Sequence, residues 1–293
     1  MNLEFCTLFR GINMQDAYIV SALRTPIGKK KGSLSNMHPA DLGAAILSGT
    51  FDRVDLDPGL VEDVIFGCVD TVGPQAGDIA RTCWLAAGLP EHVPGTTVDR
   101  QCGSSQQAVH FASQAIMSGT ADVVIAGGVQ NMNMIPISYA MLAGQALGFD
   151  DPFSGSIGWM KRYGAQEVSQ FNSAQMIAEK WKISRAEMES FAFESHQKAM
   201  RAINAKHFVD EIIPIGDFNT DETPRAETSL EKMASLNPII DGHDITAAIS
   251  SQNADASSAL LMVSEKILKE HNLDPLARIA HISVRADDPI WML

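Results

Sequence analysis

Short apolar runs of β-prone residues alternate with stretches of helical spacing along residues 14–128. Residues 17–23 form the first run, which ends at Arg24-Thr25-Pro26 and reads as a buried strand. The glycine and lysine segment at residues 28–32 reads as a solvated turn, because it lacks the Gly-Lys-Ser/Thr frame of a phosphate-binding loop. Pro39-Ala40-Asp41-Leu42 opens an amphipathic helix through Leu42, Ile46 and Leu47. Residues 61–69 supply the next buried strand, and the glycines and prolines at 73–77 lead into a helix through Ile79, Cys83 and Leu85. Gly88-Leu89-Pro90 stops that helix. A β-prone stretch at 96–98 is followed by Ala108, Val109, Ala112, Ala115 and Ile116 at helical spacing, then by a strand at 121–128 that ends in two glycines. This order predicts an α/β fold with a parallel or mixed sheet covered on both faces.

The rhythm changes after Gly128. Residues 131–141 are rich in methionine and proline, and 144–164 in glycine and aromatics. Residues 173–181 and 185–206 are helical by pattern, the second with Met188, Phe191, Ala192, Ser195 and Ala199 along one face. Residues 217–231 are polar and acidic and read as loop. Residues 129–244 are therefore expected to be an inserted domain within a first α/β domain made of 14–128 and 245–276. The pattern gives that domain a closing strand at 259–263 and a helix at 264–271. Residues 277–284 read as one more strand, the start of a further domain at 277–293 that no helix covers. Such a strand would leave an unpaired apolar edge that favours association. Residues 1–13 fit neither a leader peptide nor this pattern and read as an extension of uncertain origin.

With 293 residues, 45% of them hydrophobic and 19% charged, the chain has the composition of an ordinary globular protein of one or two domains. A formal charge of −13 argues against nucleic acid as the main partner. No apolar stretch approaches a membrane-spanning length, so no membrane partner is expected. The four cysteines, Cys6, Cys68, Cys83 and Cys102, are widely separated. Their spacing indicates neither a zinc or other metal site nor a disulfide framework, and points to a reducing, cytoplasmic setting.

The spacing places Cys102 where a strand gives way to a helix. Free backbone N–H groups and the positive end of the helix dipole favour a thiolate there, which makes Cys102 a candidate nucleophile. The competing reading is a small buried hydrophobe, the commoner fate of a free cysteine.

Several blocks in order resemble the thiolase family, the acetyl-CoA acetyltransferases and 3-ketoacyl-CoA thiolases. They are Ala22-Leu23-Arg24-Thr25-Pro26-Ile27-Gly28-Lys29, Ala80-Arg81 with Ala87-Gly88-Leu89-Pro90, Thr97-Val98 leading to Cys102-Gly103-Ser104, and Gly119-Thr120-Ala121-Asp122 with Ala126-Gly127-Gly128. The resemblance implies a thiolase-like fold of two similar α/β halves with a loop domain inserted in the first. It implies that Cys102 takes an acyl group as a thioester and that the acceptor is coenzyme A or acetyl-CoA, a substrate rather than a cofactor. The backbone N–H of Cys102 matches a donor of the oxyanion hole. Arg225, in Glu222-Thr223-Pro224-Arg225, and Ser251 match coenzyme A contacts. On the residues alone, Arg225 reads as a solvated cation in an acidic run and Ser251 as a cap on the following turn. The family forms dimers and tetramers, so a homodimer or homotetramer is expected.

Two departures bear on acyl-chain preference. A Met-Gly pair is not evident around Gln170-Phe171-Asn172, and Ala256 stands where a glycine is usual after Asp255. Asp99-Arg100-Gln101 looks closer to thiolases that act on bulky or steroid-derived acyl chains. None of the eight histidines sits in a Gly-His-Pro motif, and neither a Cys-x-Gly nor an Asn-Glu segment of the family's second half is present. His110 lies about 12 Å along the helix from Cys102, too far for a hydrogen bond. The expectation is a truncated thiolase with little turnover by itself. The alternative is a non-catalytic fragment that binds coenzyme A or a partner chain.

Overall fold

The computed structural model describes residues 14–293. The expected extension at 1–13, including Cys6, lies outside the described residues. A seven-stranded mixed sheet organises the chain, in the order β4-β3-β5-β6-β1-β7 with β2 against β6. Its strands are β1 (Ala17–Arg24), β2 (Gly28–Lys29), β3 (Asp63–Gly67), β4 (Gly95–Val98), β5 (Val123–Asn131), β6 (Ala254–Ser264) and β7 (Ala277–Arg278). β3 runs parallel to β4 and β5, whereas β6 is antiparallel to β5, β1 and β2.

The apolar runs of the strands are continuous because both faces of the sheet are covered. On one face Val64 and Phe66 of β3, Val123 and Ile125 of β5, and Leu261 and Val263 of β6 meet α1 (Pro39–Phe51) and α2 (Ile79–Ala86). On the other, Ile65, Val124, Ala126 and Met262 meet Ala108, Ala112 and Ile116 of α3 (Ser104–Met117). Neighbouring residues of one strand thus enter opposite cores, as the two-residue period of a strand requires. The α/β architecture expected from the sequence is the one observed.

Between β5 and β6 lie α4 (Tyr139–Leu142), α5 (Ile157–Tyr163), α6 (Gln170–Trp181), α7 (Arg185–Asn204) and α8 (Leu230–Ala234), and α9 (Glu265–Glu270) follows β6. The start of α7 carries a capping box, in which Ser184 and Glu187 satisfy each other's backbone N–H.

Three expectations are revised. The segment at 28–32 is not only a solvated turn, because Gly28 and Lys29 pair with Asp255 and Ala254 of β6. β5 continues past its glycines to Asn131, and β6 begins at Ala254, since each strand finds a full-length partner in the other. The strand expected at 277–284 shrinks to Ala277 and Arg278, paired with Ile19 and Tyr18. That run has a neighbour on one side only, and most of its residues remain exposed, so burial does not reward further pairing. Beyond it, the Ser173 hydroxyl of α6 donates to the Ile290 carbonyl at 2.8 Å, and Trp291 packs edge-on against Trp181.

Trp84 of α2 is fully buried, lies edge-on to Phe51 at 6.0 Å, and donates its indole N–H to the Pro90 carbonyl. Replacement by alanine leaves a large cavity and is expected to cost about 3–5 kcal/mol in urea unfolding. Trp84→Phe, which keeps most of the ring, is expected to cost clearly less.

Candidate active site

The turn from β4 into α3 is held by its own side chains. The Asp99 carboxylate accepts the Gln101 N–H at 2.7 Å. The Ser104 hydroxyl accepts the Arg100 N–H at 2.8 Å and donates to the Gln101 carbonyl at 2.6 Å. Gln101 itself has φ +47°, a left-handed conformation that costs a non-glycine residue energy and here turns the chain sharply before Cys102. Cys102 is left exposed immediately before the first turn of α3.

Two glycines allow that turn to sit on the sheet. A Cβ on Gly67, the last residue of β3, would run into the Ser104–Ser105 backbone. One on Gly128 of β5 would strike the Ser105 hydroxyl and the Gly67 carbonyl. Gly67, and Gly128 of the glycine pair in the 121–128 run, thus permit a close approach of helix to strand.

Cys102 lines a cavity of about 440 Å3 with Ile27, Val69, Val129, Met132, Ile137 and Ala256 among its walls. Cys68 lines it too, but is buried, and burial, reinforced by Asp70 and Asp99, pushes its thiol up to about 12. Burial likewise raises the pKa of Cys83 in the core. Of the described cysteines, Cys102 alone is exposed. Ala256 is part of the cavity wall, so a methyl group stands where the glycine was usual.

Arg225 and Ser251 meet in a second cavity, a groove of about 900 Å3 that also takes in Lys29, Lys30, His196, Lys232 and Gln252. The two spaces adjoin along the chain. Ile27 lines the first and Lys29 the second, as do Ala256 and Asn253 at the start of β6.

Two acids of the run around Arg225 are structural. Asp221 forms a two-pronged pair with the Arg24 guanidinium at 2.7 and 3.0 Å, and also accepts the Ile27 N–H. Glu222 accepts the Lys29 N–H and the Ser33 hydroxyl. Burial works to raise the Glu222 pKa, but these hydrogen bonds outweigh it and hold the carboxyl below its usual value. Both acids are thereby tied to β1 and the β2 turn, and Arg225 keeps its charge unneutralised: among the described residues it makes no salt bridge. Gln252 links the two candidate contacts, donating to the Thr223 carbonyl at 2.8 Å and accepting from the Arg225 guanidinium at 3.5 Å. Ser250, not Ser251, bonds the preceding turn through the Thr246 carbonyl, and Ser251 is exposed in the groove.

No histidine is among the residues lining the cavity around Cys102. His110 has a buried Nδ1 without a partner. The anchoring roles of Asp221, Glu222 and Gln252 went unread in the sequence. All three act through contacts distant in the chain, and only the acidic run signalled that anything was there.

Gly67→Ala and Gly128→Ala both force α3 away from β3 and β5. Each is expected to lower stability by about 1–3 kcal/mol in urea unfolding. Each should also change the alkylation rate of Cys102 by iodoacetamide, whereas Gly158→Ala, in α5 at a site with no neighbour within 4 Å, should leave that rate unchanged.

Comparison with known proteins gives one consistent result. The family described as "Thiolase, N-terminal domain" matches residues 17–266. The steroid 3-ketoacyl-CoA thiolase FadA6 of Mycobacterium tuberculosis is 57% identical over 97% of this chain and 70% of its own length. An acetyl-CoA acetyltransferase of Pseudomonas aeruginosa is 37% identical over 95% of this chain and 74% of its own. The crystal structure of the Bacillus anthracis acetyl-CoA acetyltransferase superposes with a TM-score of 0.81 at 32% identity, covering 96% of this chain and 74% of that one. The fold expected from the ordered sequence blocks is the fold found, and the chain belongs to the thiolase family of acyltransferases.

Proposed function

We propose that this chain carries the acyl-accepting half of a 3-ketoacyl-CoA thiolase site. In this reading Cys102 attacks the 3-keto carbon and retains the acyl group as a thioester, and the bond between carbons 2 and 3 breaks with acetyl-CoA leaving as its enolate. Coenzyme A then takes the acyl group from Cys102. The backbone N–H of Cys102 stabilises the oxyanion that forms in each step. Condensation of acetyl-CoA is the same chemistry reversed. The observation that carries the reading is the adjacency of two spaces, an apolar cavity bordered by the one exposed thiol among the described residues and a cationic groove holding Arg225 and Ser251. The groove suits an anionic, phosphate-bearing ligand such as coenzyme A, and the cavity suits its acyl end.

A bulky acyl group is part of the proposal. It is supported by the name of the relative at 57% identity, by the Asp99-Arg100-Gln101 segment, and by a cavity of about 440 Å3. The remaining expectations belong to the same reading. Residues 14–128 and 245–276 form the unit bearing Cys102, residues 129–244 are the inserted domain, and the protein is a cytoplasmic homodimer or homotetramer. Among the described residues no helix is long and apolar enough to cross a membrane.

Transfer also needs a base to activate the thiol and to handle the proton of the acceptor. With no histidine beside Cys102, we expect this polypeptide alone to show little turnover in a coupled ketoacyl-CoA assay, and robust turnover would contradict that. Cys102 is expected to be alkylated by iodoacetamide at neutral pH well ahead of Cys68 and Cys83, as read by peptide mass spectrometry. An inert Cys102 would favour the alternative, a fragment that only binds coenzyme A or a partner chain.

A further inference from the structure

Arg225 sits on an irregular segment, and something must fix where its guanidinium points. Its backbone N–H donates to Nδ1 of His196 on α7 at 3.2 Å, a contact across 29 residues of sequence. Both residues line the groove. We propose that His196 is a positioning residue of this groove: its unprotonated Nδ1 holds the Arg225 backbone, and through it the guanidinium, in place for an anionic ligand. The inference rests on the coenzyme A reading above and adds to it a residue that acts through another.

The bond requires a lone pair on Nδ1. A proton there would set N–H against N–H and place a second positive charge beside the guanidinium. Burial of the imidazole, and secondarily the Arg225 charge, hold the His196 pKa below its ordinary 6.5, so the ring is neutral and able to accept at neutral pH. The sign follows from that direction. A histidine whose pKa is lowered in the folded state keeps its contribution above the ordinary imidazole range and loses it as pH falls below. The other charged groups that line the groove are Lys29 and Lys30 at the β2 turn, Glu222 and Glu227 on the Arg225 segment, and Lys232 of α8. Four cations counting Arg225 against two carboxylates leave the groove positive.

This account predicts the opposite of simple electrostatics. An added positive charge on His196 should strengthen binding of a polyphosphate, whereas release of the Arg225 segment should weaken it. Coenzyme A itself takes up a phosphate proton in the same range, so the control is a variant that supplies an acceptor without titrating. His196→Gln provides it, through a side-chain carbonyl oxygen.

The test is calorimetric titration of the full chain with coenzyme A at about pH 7.5 and about pH 5.5. At the higher pH, His196→Gln should bind about as the unaltered chain does, and His196→Ala about fivefold more weakly, the loss of one net hydrogen bond. On going to the lower pH the unaltered chain should lose more affinity than His196→Gln does, because only its acceptor begins to take up a proton. Circular dichroism of both variants confirms that they fold. Equal affinities for the unaltered chain and His196→Ala, or equal pH slopes for the unaltered chain and His196→Gln, would overturn the positioning role while leaving the coenzyme A reading intact. Failure of the unaltered chain to bind coenzyme A at either pH would overturn both.

Discussion

The contact on which the site depends is the seating of the first turn of α3 on the end of β3 and on β5 at Gly128. It is possible because Gly67 and Gly128 carry no side chain, so the Ser104–Ser105 turn can come down against these two strands. From there the rest follows in steps. The turn before the helix must be sharp, and Gln101 absorbs the bend in a left-handed conformation. Asp99 and Ser104 lock it with short hydrogen bonds. The result is a thiol presented to solvent at a helix start while the other two described thiols are packed away. A strained turn kept rigid by a packed scaffold is a common way to hold a nucleophile in one direction.

The same economy of backbone anchoring builds the groove. Arg225 is delivered by a segment with no regular structure, yet that segment is tied at several points: Asp221 to Arg24 and Ile27, Glu222 to the β2 turn, Thr223 to Gln252, and the Arg225 N–H to His196. Asp221 and Glu222, two of the acids that make the run look merely solvated, are spent on these ties. The cationic character of the groove is therefore local and survives a net charge of −13 on the whole chain. A negative net charge on the whole chain is compatible with a phosphate site in one groove where cations cluster.

Most of the fold was legible because the relevant signals are periodic. The apolar runs of β1, β3 and β5, and the helical repeat of α3, appear in the sequence as they do in the structure, and their alternation fixes a covered mixed sheet. What was misread depended on a neighbour far along the chain. β6 starts well before its apolar core because β5 and β2 pair with its polar beginning, where Asp255 faces Asn131. The run at 277–284 has strand composition but almost nothing to pair with or pack on, so composition alone overstated it. In the site, Cys102 was visible from local spacing, and Arg225 and Ser251 only through family resemblance. The residues that hold them, Gly67, Glu222, Gln252 and His196, carry no local pattern that marks them.

The central claim is that Cys102 is an acyl acceptor served by the adjoining groove. It is tested most directly by incubating the full chain with a bulky 3-ketoacyl-CoA and measuring intact mass. The account predicts a single acyl adduct that maps to Cys102, disappears in Cys102→Ser, and is released by added coenzyme A. An adduct confined to another residue, or none under conditions where the chain binds coenzyme A, would contradict it.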